Sequence, residues 1–259
     1  MSISARLHLA NSEARLTEFM ASGINQFHSS LIKRLQRGEH LVLYGPRGSG
    51  KSTLLAKLHT RLARTGVPCA LSSTTSCLDD ITRTFARAYP DVDTATTTRR
   101  KARARLVTAA DRRAGVLLLD QVSAVNTAMI GFLRRVRGGI AGVLLAVDVE
   151  KEYDRQRLRH RHLGTLSLPM PLASPRRLRR LFRDRCTDGK IPSLSPIHER
   201  QVIRAAHGRP GWIVQCAHLI SQDRYWRDRI LHVSVLCVDT EITLRQGSLK
   251  LLLPKQGSG

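Results

Sequence analysis

Apolar residues fall into two regimes along the chain. In the first, short apolar runs alternate with amphipathic stretches. Ile24, Phe27, Leu31 and Leu35 recur at helical spacing, and Arg37-Gly38 closes that helix. His40 to Tyr44 (HLVLY) predicts a short strand, followed by a glycine-punctuated loop from Gly45 to Gly50. Leu54, Leu55, Leu58 and Leu62 share one face of a helix predicted over 51–63, and Val67 to Leu71 predicts a second strand. A helix follows over 78–88, then a threonine-rich connector over 91–98 and a basic helix over 99–113. Val116 to Leu119 is a continuous apolar run ending in Asp120, the pattern of a strand buried on both faces. A helix over 127–136 and a buried strand over 140–147 complete this regime. Strands alternating with helices predict a parallel α/β sheet flanked by helices.

The second regime begins after residue 170 and carries helical periodicity. Ser174-Pro175 and Ser195-Pro196 each place a capping serine before a first-turn proline, and the helices they open run to Cys186 and His207. Pro210 opens a third, running to Tyr225, without the serine. Residues 230–253 read either way. Leu231, Val235, Val238 and Ile242 fit a helix, whereas Val233, Val235 and Cys237 fit a strand. The expected organisation is a lead-in at 1–23, an α/β domain at 24–170, a small helical domain at 171–230 and a C-terminal segment at 231–259. Gly257-Ser258-Gly259 reads as a linker remnant.

Composition narrows the function. The 259 residues suffice to bury a core without disulfide or metal staples. Five scattered cysteines with no CxxC pair argue against a disulfide framework or zinc site and for a reducing, cytoplasmic setting. No apolar run reaches the roughly 18 residues of a membrane span. Arg6, Glu13, Arg15 and Glu18 break any signal-peptide core. The net charge of +23 points to a polyanionic partner.

Gly45-Pro46-Arg47-Gly48-Ser49-Gly50-Lys51-Ser52 matches G-x-x-x-x-G-K-[ST] in full, between an apolar strand and an amphipathic helix. Glycines allow backbone N–H groups to turn inward around phosphate oxygens. The helix that starts at Lys51 aims its positive dipole end at the same phosphates. In such a loop the lysine reaches the β- and γ-phosphates and the Ser52 hydroxyl ligates Mg²⁺. Asp120, at the end of a buried strand, is the second expected Mg²⁺ holder. The predicted cofactors are therefore ATP and Mg²⁺.

GPRGSGKST (45–53), LLLD (117–120) and AGVLLAVD (141–148) resemble the core of the AAA+ P-loop ATPases. So does RLRHRHLGTLSLPMPLASPRRLRRLF (157–182), where a basic segment leads to a strand, a proline and the first helix of a lid. The likeness covers roughly 24–225 and is nearest to the origin-recognition-like group and the transposition regulators of the phage Mu B kind. The resemblance implies a P-loop sheet followed by a helical lid, with residues 45–53 through Thr53 as the nucleotide contacts. It also implies Arg209 as a cis nucleotide sensor, opening a lid helix in HGRPG (207–211). Arg155, Arg157, Arg159 and Arg161 lie where an arginine finger is supplied to a neighbouring subunit, Arg161 being the best placed. A homo-oligomer is implied, and a transposase or other DNA-processing protein as partner.

Two departures matter. The residue after Asp120 is Gln121, where the family has a glutamate that polarises the attacking water. An amide positions water but takes no proton. Hydrolysis is then slow, or Asp148 or Glu150 substitutes, or Gln121 is an introduced Glu→Gln trap. Asp148 stands where the family carries a neutral polar sensor.

Positive charge is clustered. Arg99, Arg100, Lys101, Arg103, Arg105, Arg112 and Arg113 stand against Asp111 alone, and a second stripe runs from Arg176 to Arg185. Such stripes suit phosphate backbones. With Phe182 their one aromatic, they make a poor base-stacking platform, so double-stranded DNA held through its backbone is the expected ligand, with Arg99, Arg100, Lys101, Arg103 and Arg105 as the contacts. Two other readings compete. One is a STAND-like signalling NTPase that binds proteins, its basic charge incidental. The other is a small-molecule kinase, which the separate C-terminal helical domain opposes.

Overall fold

A computed structural model describes residues 24–73, 77–92, 98–122, 131–135, 142–149, 166–188, 191, 194–227 and 230–252. The chain divides into two compact units. One holds residues up to Gly45 and Lys51–Pro171; the other holds Pro46–Gly50 and Leu172 onward.

The first unit is built on a parallel sheet of order β2-β3-β4-β1-β5. Its strands are β1 (His40–Gly45), β2 (Cys69–Ser72), β3 (Val116–Leu119), β4 (Gly142–Asp148) and β5 (Leu166–Pro169). The helices are α1 (Ile24–Gln36), α2 (Lys51–Arg64), α3 (Leu78–Ala86) and α4 (Arg99–Arg112), with a further helical stretch at 131–135. Successive strand residues face opposite sides, which is why the strands read as unbroken apolar runs. Leu41, Leu43, Val116, Leu118, Leu144 and Ala146 pack against Phe27, Leu31 and Leu35 of α1 and the leucines of α2. Their neighbours Val42, Leu117, Leu119, Val143 and Leu145 pack on the other side with Ile81 and Phe85 of α3 and Leu106 and Ala110 of α4.

The second unit is helical: α5 (Pro175–Asp188), α6 (Pro196–Ala205), α7 (Pro210–Ile220) and α8 (Val233–Leu252), with a short pairing of Trp226–Arg227 and Ile230–Leu231. The expected caps operate. Ser195 Oγ accepts from the His198 N–H at 3.3 Å, and Ser174 Oγ from the Arg177 N–H at 3.4 Å. Leu178, Phe182, Val202, Trp212, Ile213 and Tyr225 form the core. The Tyr225 hydroxyl donates to Asp239 Oδ2 at 2.9 Å, tying α8 to it.

The ambiguous 230–253 segment is mostly helix. The helix-spaced set identified in the sequence is not its buried face, however. Val235, Val238 and Ile242 are exposed, while Leu236 and Thr240 are buried. The fold is that expected: a P-loop NTPase sheet flanked by helices, with a helical C-terminal region.

Candidate functional site

In a parallel sheet all carboxyl ends lie at one edge, and ligands bind there. Here that edge gathers Gly45, Asp120 and Asp148. Gly45 is in register with Asp148 on the neighbouring strand, and the Val149 N–H donates to the Gly45 carbonyl at 3.2 Å. Asp120 is buried just beyond β3, its N–H donating to Ser72 O at 2.9 Å.

Lys51 is the first residue of α2 and is buried. Its ammonium donates to the Gly45 carbonyl at 2.8 Å and pairs with Asp148 Oδ1 at 2.7 Å. Ser52 and Thr53 follow it, both exposed, and the first turn of α2 carries no acid. No acid of the helix itself therefore opposes an anion at this terminus. Within the loop Gly48 and Gly50 adopt φ of 77° and 98°, left-handed values that fold a chain back on itself and favour glycine. The hydroxyl of Ser52 and the carboxylate of Asp120 are hard oxygen donors, the type that suits Mg²⁺.

Gln121 is exposed with φ of 51°, and its N–H donates to Asp120 Oδ1 at 2.9 Å. A glutamine in this region carries strain of about 1–3 kcal/mol.

Loop residues 46–50 belong to the second unit. The reason lies in α7. Its cap residue is Arg209, which makes no capping bond, and its first residue is a proline with no N–H. The next amide, Gly211, donates instead to Gly48 O at 2.7 Å. A Cβ on Gly211 would lie 2.9 Å from Gly48 Cα, so only glycine permits this approach. Arg47 joins the same arrangement, donating to Arg245 O of α8 at 2.7 Å.

Arg209, expected at the nucleotide, is buried and held by Glu241 of α8 through two bonds of 2.8 and 3.3 Å. Hydrogen bonds from Arg209 hold the Glu241 carboxyl below the usual range. Glu241→Ala should strand the buried guanidinium. Breaking a fully buried pair costs about 3–5 kcal/mol, and the partial exposure of Glu241 lowers this to about 2 kcal/mol. The melting temperature should fall by about 4–8 °C. Because the folded carboxyl titrates below its unfolded value, the stabilisation is present above the ordinary glutamate range and lost as pH falls through the folded value. The difference between the two proteins should therefore shrink in acid.

On α4, Arg100, Lys101 and Arg105 are exposed. Arg99 begins the helix, but its side chain is outside the described set. Arg103 differs: it is half-buried and paired with Asp79 of α3. On α5, Arg176, Arg177, Arg180 and Arg185 are exposed, whereas Arg183 and Arg179 engage Glu199 of α6. Arg155, Arg157, Arg159, Arg161 and Glu150 lie outside the described residues. The cysteines are free thiols; burial raises Cys69 to about 12 and Cys186 to about 11. No described helix is long and apolar enough to cross a membrane.

Asp79 and Glu241, which engage Arg103 and Arg209, escaped the sequence reading, as did the pairing of Asp148 with Lys51. Glu241 stands thirty-two residues from its arginine, and no local pattern links them. The pairing of Asp148 had a signal: it is a charged residue where a neutral one is usual.

Residues 33–147 match the family model for an AAA domain. Solved structures share the fold. One is the replication initiator DnaA bound to AMPPCP and single-stranded DNA (TM-score 0.50, 16% identity, covering 87% of this chain and 65% of that one). Another is the Aeropyrum pernix ORC1 protein in complex with DNA (0.50, 17%, 88% and 68%). A third is domain III of the Thermotoga maritima replication initiation protein DnaA (0.50, 13%, 82% and 88%). The chain thus spans less than two thirds of the AMPPCP-bound DnaA. No curated protein gives a significant match. The chain is thus similar to AAA domains over residues 33–147, and its fold is that of a P-loop NTPase.

Proposed function

We propose that this protein is an ATPase that binds Mg-ATP, assembles with copies of itself in the ATP state and holds double-stranded DNA through its backbone. The observation that carries this is the complete phosphate-binding loop, with the buried Lys51 ammonium at the carboxyl edge of the sheet. Loop amides and Lys51 bind the phosphates, with Pro46, Arg47 and Ser49 at the variable loop positions. Mg²⁺, held by Ser52 and Asp120, would supply charge neutralisation on the β- and γ-phosphate oxygens. Gln121 orients the lytic water. A finger from a neighbouring copy, Arg161 in this reading, would complete the transition-state charge. The net charge and the exposed arginines of α4 and α5 support the nucleic-acid ligand. The likeness to transposition regulators supports a role in DNA transposition or recombination, with a transposase as partner, in the cytoplasm.

The test is DNA binding and assembly mass measured with and without Mg-ATP. ATP-dependent assembly on duplex DNA is expected. ATP-dependent assembly with no affinity for DNA would instead favour the STAND-like signalling switch.

Turnover provides a separate check. General-base assistance is worth about 10²–10⁴-fold. Glutamine keeps the hydrogen-bonding shape of glutamate and loses its basicity, so tight binding with slow hydrolysis is expected. Gln121→Glu should accelerate single-turnover hydrolysis at least about tenfold, a cautious fraction of that range. An unchanged rate places the base elsewhere.

A further inference from the structure

Asp148 is the residue that the proposed mechanism leaves unused. It ends β4 in register with Gly45, and its carboxylate lies 2.7 Å from the Lys51 ammonium. Lys51 is buried at 6% side-chain exposure, so a charge beside it is screened little by water. The ammonium has three protons; one is on the Gly45 carbonyl and one faces Asp148. A lysine in this motif serves the β- and γ-phosphates. The carboxylate therefore already holds the cation that a terminal phosphate needs.

We propose that Asp148 competes with the terminal phosphate of a bound nucleotide for Lys51, and so sets the preference of the site between triphosphate and diphosphate. The inference rests on the nucleotide-binding role proposed above. The backbone that carries the carboxylate is fixed against β1 by the pairing through Gly45 and by the Val149 N–H bond to Gly45 O, which keeps Asp148 beside Lys51. An arriving γ-phosphate thus meets a like charge within a few ångströms and must share or displace the carboxylate's partner. A diphosphate carries no γ-phosphate and meets less of this repulsion. The neutral polar residue usual at this position would impose no such selection. Asp148 thereby shifts the site toward ADP, and asparagine at this position would shift it toward ATP.

The experiment is equilibrium binding of ATP and of ADP to the full chain, in Mg²⁺ and again in EDTA. The proteins are the unmodified form, Asp148→Asn and Asp148→Ser, each first checked for an unchanged melting profile. Asp148 lies at an exposed strand end, so both variants should fold. ATP affinity should rise about tenfold in both, and ADP affinity by less than about threefold. The ratio should move in EDTA as well, because the repulsion is between the carboxylate and the phosphate. Equal gains for ATP and ADP would overturn the proposal. So would a loss of ATP affinity confined to Mg²⁺, which would make Asp148 a metal ligand. If the unmodified protein binds ATP and the variants match it, the competition fails while the nucleotide site stands. If no protein binds either nucleotide, the site itself fails, and the competition with it.

Discussion

Lys51→Ala should abolish binding of ATP and ADP while leaving the protein folded. In the proposed site the ammonium is the side-chain contact to the β- and γ-phosphates. Arg47 is the nearest alternative, and its guanidinium donates to Arg245 O of α8. The substitution has a second effect. It leaves the Asp148 carboxylate without its 2.7 Å partner at the edge where phosphate must enter. The site then loses one positive charge, and the carboxylate beside it no longer has the ammonium to offset its repulsion of phosphate. Stability should change little. Asp148 can be solvated where it stands, and a partly exposed ion pair is worth about 0–1 kcal/mol. For a chain of this size that is a shift of at most about 4 °C in melting temperature. Nucleotide-dependent protection against unfolding should vanish along with the binding signal. Nucleotide affinity equal to that of the unmodified protein in a folded Lys51→Ala chain would end the phosphate-binding interpretation. Adding Asp148→Asn to Lys51→Ala should restore part of the lost affinity, because the second change removes the carboxylate's charge.

How much of this was visible in the sequence depended on the range of the interaction. The strands were legible because burial on both faces writes itself as an unbroken apolar run: Val116–Leu119 and the stretch around Gly142–Val147 needed no partner to be recognised. The loop was legible because eight consecutive residues carry it. The caps at Ser174 and Ser195 were legible because each acts within three residues. The remaining parts of the site join distant residues. Arg209 meets Glu241 only because α7 and α8 pack together, and Gly211 meets Gly48 only because α7 lacks an accepting cap. The C-terminal helix shows the limit most plainly. Its apolar residues have helical period, so the helix could be seen, but Val235, Val238 and Ile242 face outward. Period reports the element; the buried face is decided by neighbours that the local sequence does not name.

The same distinction governs the DNA prediction, in which charge alone would treat every arginine of α4 alike. If about six phosphates are neutralised, log affinity falls with log salt at a slope near −5.4, or roughly a thousandfold between about 50 and 200 mM. The structure divides the contributors. Arg100, Lys101 and Arg105 are exposed on α4, whereas Arg103 is half-buried beside Asp79. Neutralising the three exposed positions to glutamine should remove up to three contacts. The slope should then drop to about −2.7, and the loss over the same salt range to about fortyfold. Affinity at low salt should fall in parallel for unrelated duplex sequences, because phosphate contacts position a protein without reading bases. Arg103→Gln serves as the internal control. It should leave the slope nearly unchanged and lower the melting temperature instead, since it removes the partner of Asp79 rather than a phosphate contact. A flat salt profile in the unmodified protein would remove DNA from the function. A steep profile that the triple substitution leaves intact would move the contact surface off α4, with the exposed arginines of α5 next in line.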